Sequence, residues 1–176
     1  MGESGLVVLV PEAESLVGVL RLRHDESARL GVPAHITVLF PFMEPSLISA
    51  EITRTCAQVV AAHAAFSFKL VSVGRFPATA FLAPHPSEPF IALTEALARA
   101  FPAFPPFRGE FSSIVPHLTV AHGSVAAAEV VAGALAEALA ATEPVSAVCS
   151  SVALMENSSG HWSTTHVFPL ASEPGT

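Results

Sequence analysis

The chain of 176 residues carries 8 Lys and Arg against 15 Asp and Glu, a formal net charge of −7 at pH 7, with 51% hydrophobic and 13% charged residues. That acidic balance argues against a grip on extended polynucleotide, whose affinity comes from cations neutralising phosphates, and the apolar content argues against disorder. No apolar run approaches the roughly 18 to 20 residues of a membrane span, so no membrane partner is expected.

Leu6-Val7-Val8-Leu9-Val10 is apolar and β-branched and stops at Pro11, which predicts a buried strand. Glu3 is the only charge ahead of Leu6, where a secretory leader would be basic, so a cytoplasmic protein is expected. Glu12 to His24 follows, with Leu16, Val17, Val19, Leu20 and Leu22 at mixed helical spacing and a charged end at Arg21-Leu22-Arg23-His24-Asp25. Gly31-Val32-Pro33 feeds a strand that stops at Pro41. Ser46 is the expected N-cap of a second helix running to about His63.

Phe66 to Val73 and Thr79 to Ala83 predict a hairpin around Gly74 to Ala78. Pro89 to Phe101 places Phe90, Leu93, Leu97 and Phe101 on one helical face. A Pro-rich loop, residues 102–109, leads to another short strand. Ser124 then caps an alanine-rich helix to about Thr142. Val145 to Met155 and Trp162 to Leu170 predict a closing hairpin around the polar turn from Glu156 to Gly160. Cys56, in a helix, and Cys149, in a strand, suit buried reduced thiols, and neither has the close spacing of a zinc site.

This order runs twice. A strand stopped by proline, a helix, a loop, a short strand and a helix follow Leu6, and the same series restarts at Thr79. The expected architecture is therefore α+β: a single bilobal domain over residues 1–176, with lobe 1 about 1–78 and lobe 2 about 79–170. Two mainly antiparallel sheets should flank a central cleft, with helices outside and strand exchange between lobes allowed.

The short strands carry the chemistry. Pro33-Ala34-His35-Ile36-Thr37-Val38 returns as Pro116-His117-Leu118-Thr119-Val120. Strand side chains alternate, so each His shares a face with its Thr while Ile36 and Val38, or Leu118 and Val120, anchor the other face. If the strands meet, two imidazoles and two hydroxyls converge. Imidazole titrates near pH 6.5, so one ring can accept a proton while the other donates one. The hydroxyls of Thr37 and Thr119 can donate to charge building on phosphate oxygens. One such His alone is ordinarily structural; its echo in a repeat points to a functional cleft. A rival arrangement has His35, His117 and His122 binding zinc, although neither strand adds a carboxylate or thiolate.

The paired His-Ile-Thr-Val and His-Leu-Thr-Val strands resemble the His-x-Thr/Ser-apolar signature of the 2H phosphoesterase superfamily. The run Pro33-Ala34-His35-Ile36-Thr37-Val38-Leu39-Phe40-Pro41-Phe42 is similar to its 2'-5' RNA ligase-like (LigT-like) branch. The resemblance implies the duplicated two-lobed fold and opening of 2',3'-cyclic phosphates or related cyclic phosphodiesters without metal or cofactor. His35 and His117 would be catalytic, and Thr37 and Thr119 would bind the phosphate. Many relatives have Arg where this chain has His122, and the chain has no Tyr. Phe42, Phe76, Phe107 or Trp162 would then stack on a base, and Arg75 or Arg108 would supply charge. The expected partner is a small cyclic-phosphate nucleotide or an RNA terminus, bound by a monomer. Ligation of RNA ends and non-catalytic nucleotide or RNA-end binding are the alternatives.

Overall fold

Residues 2–110 and 113–172 are described by the structure, a computed structural model. The strands are β1 (Ser4–Leu9), β2 (His35–Leu39), β3 (Phe66–Phe76), β4 (Thr79–His85), β5 (Leu118–His122), β6 (Val145–Cys149), β7 (Ser151–Glu156) and β8 (Ser163–Pro169). The helices are α1 (Glu14–His24), α2 (Glu26–Arg29), α3 (Ala50–Ala61), α4 (Glu88–Ala100) and α5 (Val125–Ala141). The strands form two four-stranded antiparallel sheets, ordered β2-β1-β7-β8 and β5-β4-β3-β6.

The two orders match position by position. β1 and β4 are interior strands buried on both faces, which is why their sequences are apolar without alternation. The two His-Thr strands occupy equivalent edges. The sheets share strands across the repeat: β3, which precedes Thr79 in sequence, pairs with β4, while β7 and β8, late in the chain, extend the sheet of β1.

The helices cross over as well. α1 leaves the first sheet and packs on β5 of the second, beside α5, whereas α4 leaves the second sheet and packs on β2, beside α3. Each repeat therefore covers the other's motif strand, and the main apolar core spans both sheets, with a small separate cluster of Val7, Val32, Ala153 and Met155 on the other face of the first. Leu6 and Ile36 of the first sheet share the main core with Leu82 and Leu118 of the second. α4 contributes Phe90, Leu93 and Leu97, and α5 contributes Ala128, Val131 and Leu135. The Ser124 side chain accepts the Ala127 N–H at 3.2 Å, capping α5 as its sequence implies.

Four boundaries differ from the expectation, the first being that β4 does not stop at Ala83 but runs through Pro84 to His85, with Pro84 opposite Leu70 and His85 opposite Lys69. The second helix is capped by Ser49, which accepts the Ile52 N–H at 3.3 Å; Ser46 lies in a 3-10 turn, Pro45–Leu47, and Ile48 returns to extended backbone before the helix starts. The β3–β4 turn is shorter than Gly74 to Ala78, because β3 continues to Phe76. The span from Val145 to Met155 is two strands rather than one: β6 pairs with β3, and after Ser150 the chain passes to the other sheet, where β7 pairs with β1.

Candidate active site

Along β2, His35 and Thr37 are half-buried while Ile36, Val38 and Leu39 are buried; along β5, Thr119 is half-buried beside buried Leu118 and Val120. His117, half-buried, immediately precedes β5. The alternation turns the polar pair of each motif away from the core. Both motif strands also carry the same irregularity. In β2, Thr37 pairs with Val7 and Leu39 with Leu6, leaving Val38 unpaired; in β5, Thr119 pairs with Phe81 and Ala121 with Ala80, leaving Val120 unpaired. A bulge thus follows each Thr, a device that bends a strand and re-aims its side chains. Nothing in the tetrapeptides announces it.

The two rings are held alike. His35 Nδ1 lies 2.8 Å from the Pro33 carbonyl oxygen, and His117 Nδ1 lies 2.6 Å from that of Val115. A carbonyl only accepts, so each Nδ1 carries a hydrogen, and in a neutral ring Nε2 keeps the lone pair. The Pro33 segment is itself fixed: Glu14 Oε1 accepts the Ala34 N–H at 2.6 Å, and the Ala34 carbonyl accepts the Val10 N–H at 2.8 Å.

β2 and β5 lie against each other, and His117 bears electrostatically on His35. Burial, the largest influence, pushes His35 down to about 4; the Pro33 carbonyl opposes this, Arg21 adds to it, Asp25 opposes it and His117 adds to it. His117 is also lowered, chiefly by burial, with the Val115 carbonyl opposing and His122 adding. Both rings are therefore driven toward the neutral form.

Their surroundings differ. His35 and Thr37 open onto a cavity of about 130 Å³ lined also by Phe40, Met155 and Trp162, with Trp162 edge-on to Phe40 at 6.0 Å. His117 sits among phenylalanines: Phe76 at 5.3 Å, Phe81 at 5.1 Å and Phe107 at 6.3 Å between ring centroids. Phe107 belongs to the loop before β5, and its N–H donates to the Phe40 carbonyl at 2.7 Å, tying that loop to the end of β2.

The remaining sequence candidates separate. Trp162 and Phe107 lie beside the motif residues. His122 is exposed at the end of β5, its Nδ1 2.9 Å from the Thr79 hydroxyl. Arg75 and Arg108 are exposed, Arg75 next to Phe76 near the β3–β4 turn and Arg108 next to Phe107. Phe42 belongs to the core: it is 6% exposed and packs edge-on against Phe101 and Phe104 at 5.1 and 5.5 Å. Among the described residues no three His, Cys, Asp or Glu side chains group as a metal site, so His35, His117 and His122 do not form one. No helix among the described residues is long and apolar enough to cross a membrane.

The sequence reading misses Arg21. By sequence this segment is only the charged end of a helix, yet Arg21 is 1% exposed and Asp25 4%. The spacing Ala13, Val17, Arg21, Asp25 is the available signal, since it continues the buried face by steps of four.

The fold and the paired motif strands define a 2H phosphoesterase-type protein. The family model of the 2'-5' RNA ligase superfamily matches residues 9–161, and the chain belongs to that superfamily. Among solved structures, TT0787 of Thermus thermophilus aligns with a TM-score of 0.63 at 17% identity, covering 97% of this chain and 99% of that one. A crystal structure described as a phosphoesterase gives 0.62 at 16% identity, covering 97% and 99%. E. coli LigT complexed with NADP+ gives 0.59 at 17%, covering 96% and 97%. At these identities the likeness concerns the fold. Comparison with curated protein sequences found no match.

Proposed function

We propose that the protein opens 2',3'-cyclic phosphates or related small cyclic phosphodiesters by two-histidine acid–base catalysis. The observation that carries this reading is the matched anchoring of His35 and His117, each fixed through Nδ1 to the carbonyl two residues upstream, on motif strands that lie together. Each ring then has its Nε2 left for proton transfer.

His35, the ring held near 4, is neutral at pH 7 and suits the base that takes a proton from the attacking water. His117 suits the acid. Its proton is favoured once a phosphodiester anion lies beside it, because a nearby negative charge stabilises imidazolium. Water oxygen bonds to phosphorus, the bond from phosphorus to one ribose oxygen breaks, and His117 protonates that oxygen. The Thr37 and Thr119 hydroxyls donate to the non-bridging oxygens, whose charge grows in the transition state.

The cavity beside His35, with Trp162 and Phe40 on its wall, supports a nucleotide-like organic group on that side. The LigT structures complexed with ATP, NADP+ and 3'-AMP support small nucleotides as the ligand class. A net charge of −7 favours such a substrate, or one RNA end, over extended RNA.

The test is incubation with 2',3'-cyclic mononucleotides, cyclic-phosphate-ended oligonucleotides and paired RNA ends, with and without chelator. Chelator-insensitive ring opening supports the proposal. Binding without turnover favours a sensor, joining of ends favours ligation, and loss of activity with chelator overturns the metal-independent scheme.

A further inference from the structure

Arg21 connects the two motifs. Its Nη1 donates to the Val32 carbonyl at 3.0 Å, three residues before His35, and its Nε donates to the Thr119 carbonyl at 3.1 Å, within β5. Nη2 reaches Asp25 Oδ2 at 2.9 Å and Ser27 Oγ at 3.2 Å. Asp25 is fixed in turn, accepting the Ser27 N–H at 3.0 Å and the Ser27 hydroxyl at 2.8 Å as it caps α2. No other side chain among the described residues hydrogen-bonds both the segment entering one motif strand and the backbone of the other.

An arginine buried to this degree costs several kcal/mol of desolvation, and an apolar residue at that position would ordinarily fold as well. A surface-covering role does not explain it. What the guanidinium supplies, and an aliphatic side chain cannot, is a planar fork that fixes two carbonyls at one separation and angle. These two carbonyls belong to opposite repeats, one on the segment entering β2 and one within β5.

We propose that Arg21 is a positioning residue, clamping the chain entering β2 to β5 and thereby setting how His35 and His117 face one another across the cleft. The charged and titratable groups bearing on His35 are Arg21 and Asp25 from α1 and its end, and His117 from the second motif. The catalytic arm of this inference rests on the function proposed above; the geometric arm does not.

The experiment follows the imidazole nitrogens of His35 by NMR titration in the wild type, in His117→Ala, in Arg21→Lys and in the double variant. Lysine keeps the charge but lacks the fork. In the wild-type background, removing His117 should shift the His35 midpoint. In the Arg21→Lys background the shift should fall to about half or less, as expected when a double-mutant cycle loses the geometry that couples its partners. Val17→Ala, on the same buried face of α1, is the control: it should lower the melting temperature and leave the coupling intact.

With a 2',3'-cyclic mononucleotide as substrate, Arg21→Lys should lower kcat by roughly 10- to 100-fold with a much smaller change in KM, the cost of sub-ångström to ångström misplacement. Undiminished coupling in Arg21→Lys overturns the inference, whatever the activity does. If that variant does not fold, Asp25→Asn, which loosens the guanidinium's carboxylate anchor, is read by the same criterion. If the wild type turns over no cyclic phosphate, the proposed function fails while the coupling measurement still decides the role of Arg21.

Discussion

Phe107 stacks on His117, with ring centroids 6.3 Å apart and planes 24° from parallel. The backbone there is left-handed, φ 49° at Phe107 and 56° at Arg108, a conformation that bulky L-residues adopt at a cost of roughly 1 to 2 kcal/mol each. Such strain persists where surrounding contacts over-determine it, and here the Phe107 N–H is held by the Phe40 carbonyl. Arg108→Gly should therefore raise stability by about 1 kcal/mol in urea denaturation. If Arg108 steers the phosphate, KM for a cyclic nucleotide should rise in the same variant. A destabilised Arg108→Gly protein would count against the strain.

His35→Ala and His117→Ala should each abolish turnover, by roughly 10²-fold or more, and the double variant should be hardly slower than either. Single-turnover rates measure this. Mild, additive losses would contradict an acid and base that work as one unit.

Thr37→Val and Thr119→Val remove a hydroxyl without changing shape greatly. Each should cost roughly 1 to 3 kcal/mol of transition-state stabilisation, seen as a fall in kcat larger than any rise in KM. Unchanged rates in both variants would remove the threonines from the mechanism.

His35 gives a pH dependence with a defined sign. It titrates near 6.5 in the unfolded chain and near 4 in the folded one, so between these values the unfolded chain binds the extra proton. Stability from this group is present above 6.5 and lost as pH falls toward 4; His117, lowered in the same direction, adds to the loss. Urea midpoints should drop between about pH 7 and 4.5, and drop less in His35→Asn. The acid limb of kcat/KM should fall well below 6.5 if His35 is the base of the free enzyme. A midpoint at or above that ordinary imidazole value would assign the base elsewhere.

Gly74 leaves room that a methyl group would take. A Cβ built there overlaps the Phe81 ring, which lies 5.1 Å from His117. Gly74→Ala should destabilise by roughly 1 to 3 kcal/mol and should shift the His117 imidazole resonances. A stable variant with unmoved resonances would show that Phe81 does not transmit to the site.

The chain alone determined the repeat, the two-sheet class and the pairing of each His with its Thr, because strand alternation is local and survives packing; the proline stop held after β1 but not at Pro84, which pairs with Leu70 inside β4. The chain also placed Ser124 as a cap, a contact spanning three residues. The strand swap at Ser150, the bulges after Thr37 and Thr119, and the crossing of α1 and α4 onto each other's motif strands were decided only by the tertiary structure, since each depends on a partner far away in sequence. Arg21 shows the reason most plainly: in the sequence it stands in a charged helix end like a solvated cation, and it turns inward, while Leu22 faces water, because folding brings the Val32 carbonyl and, from 98 residues away, the Thr119 carbonyl to its guanidinium.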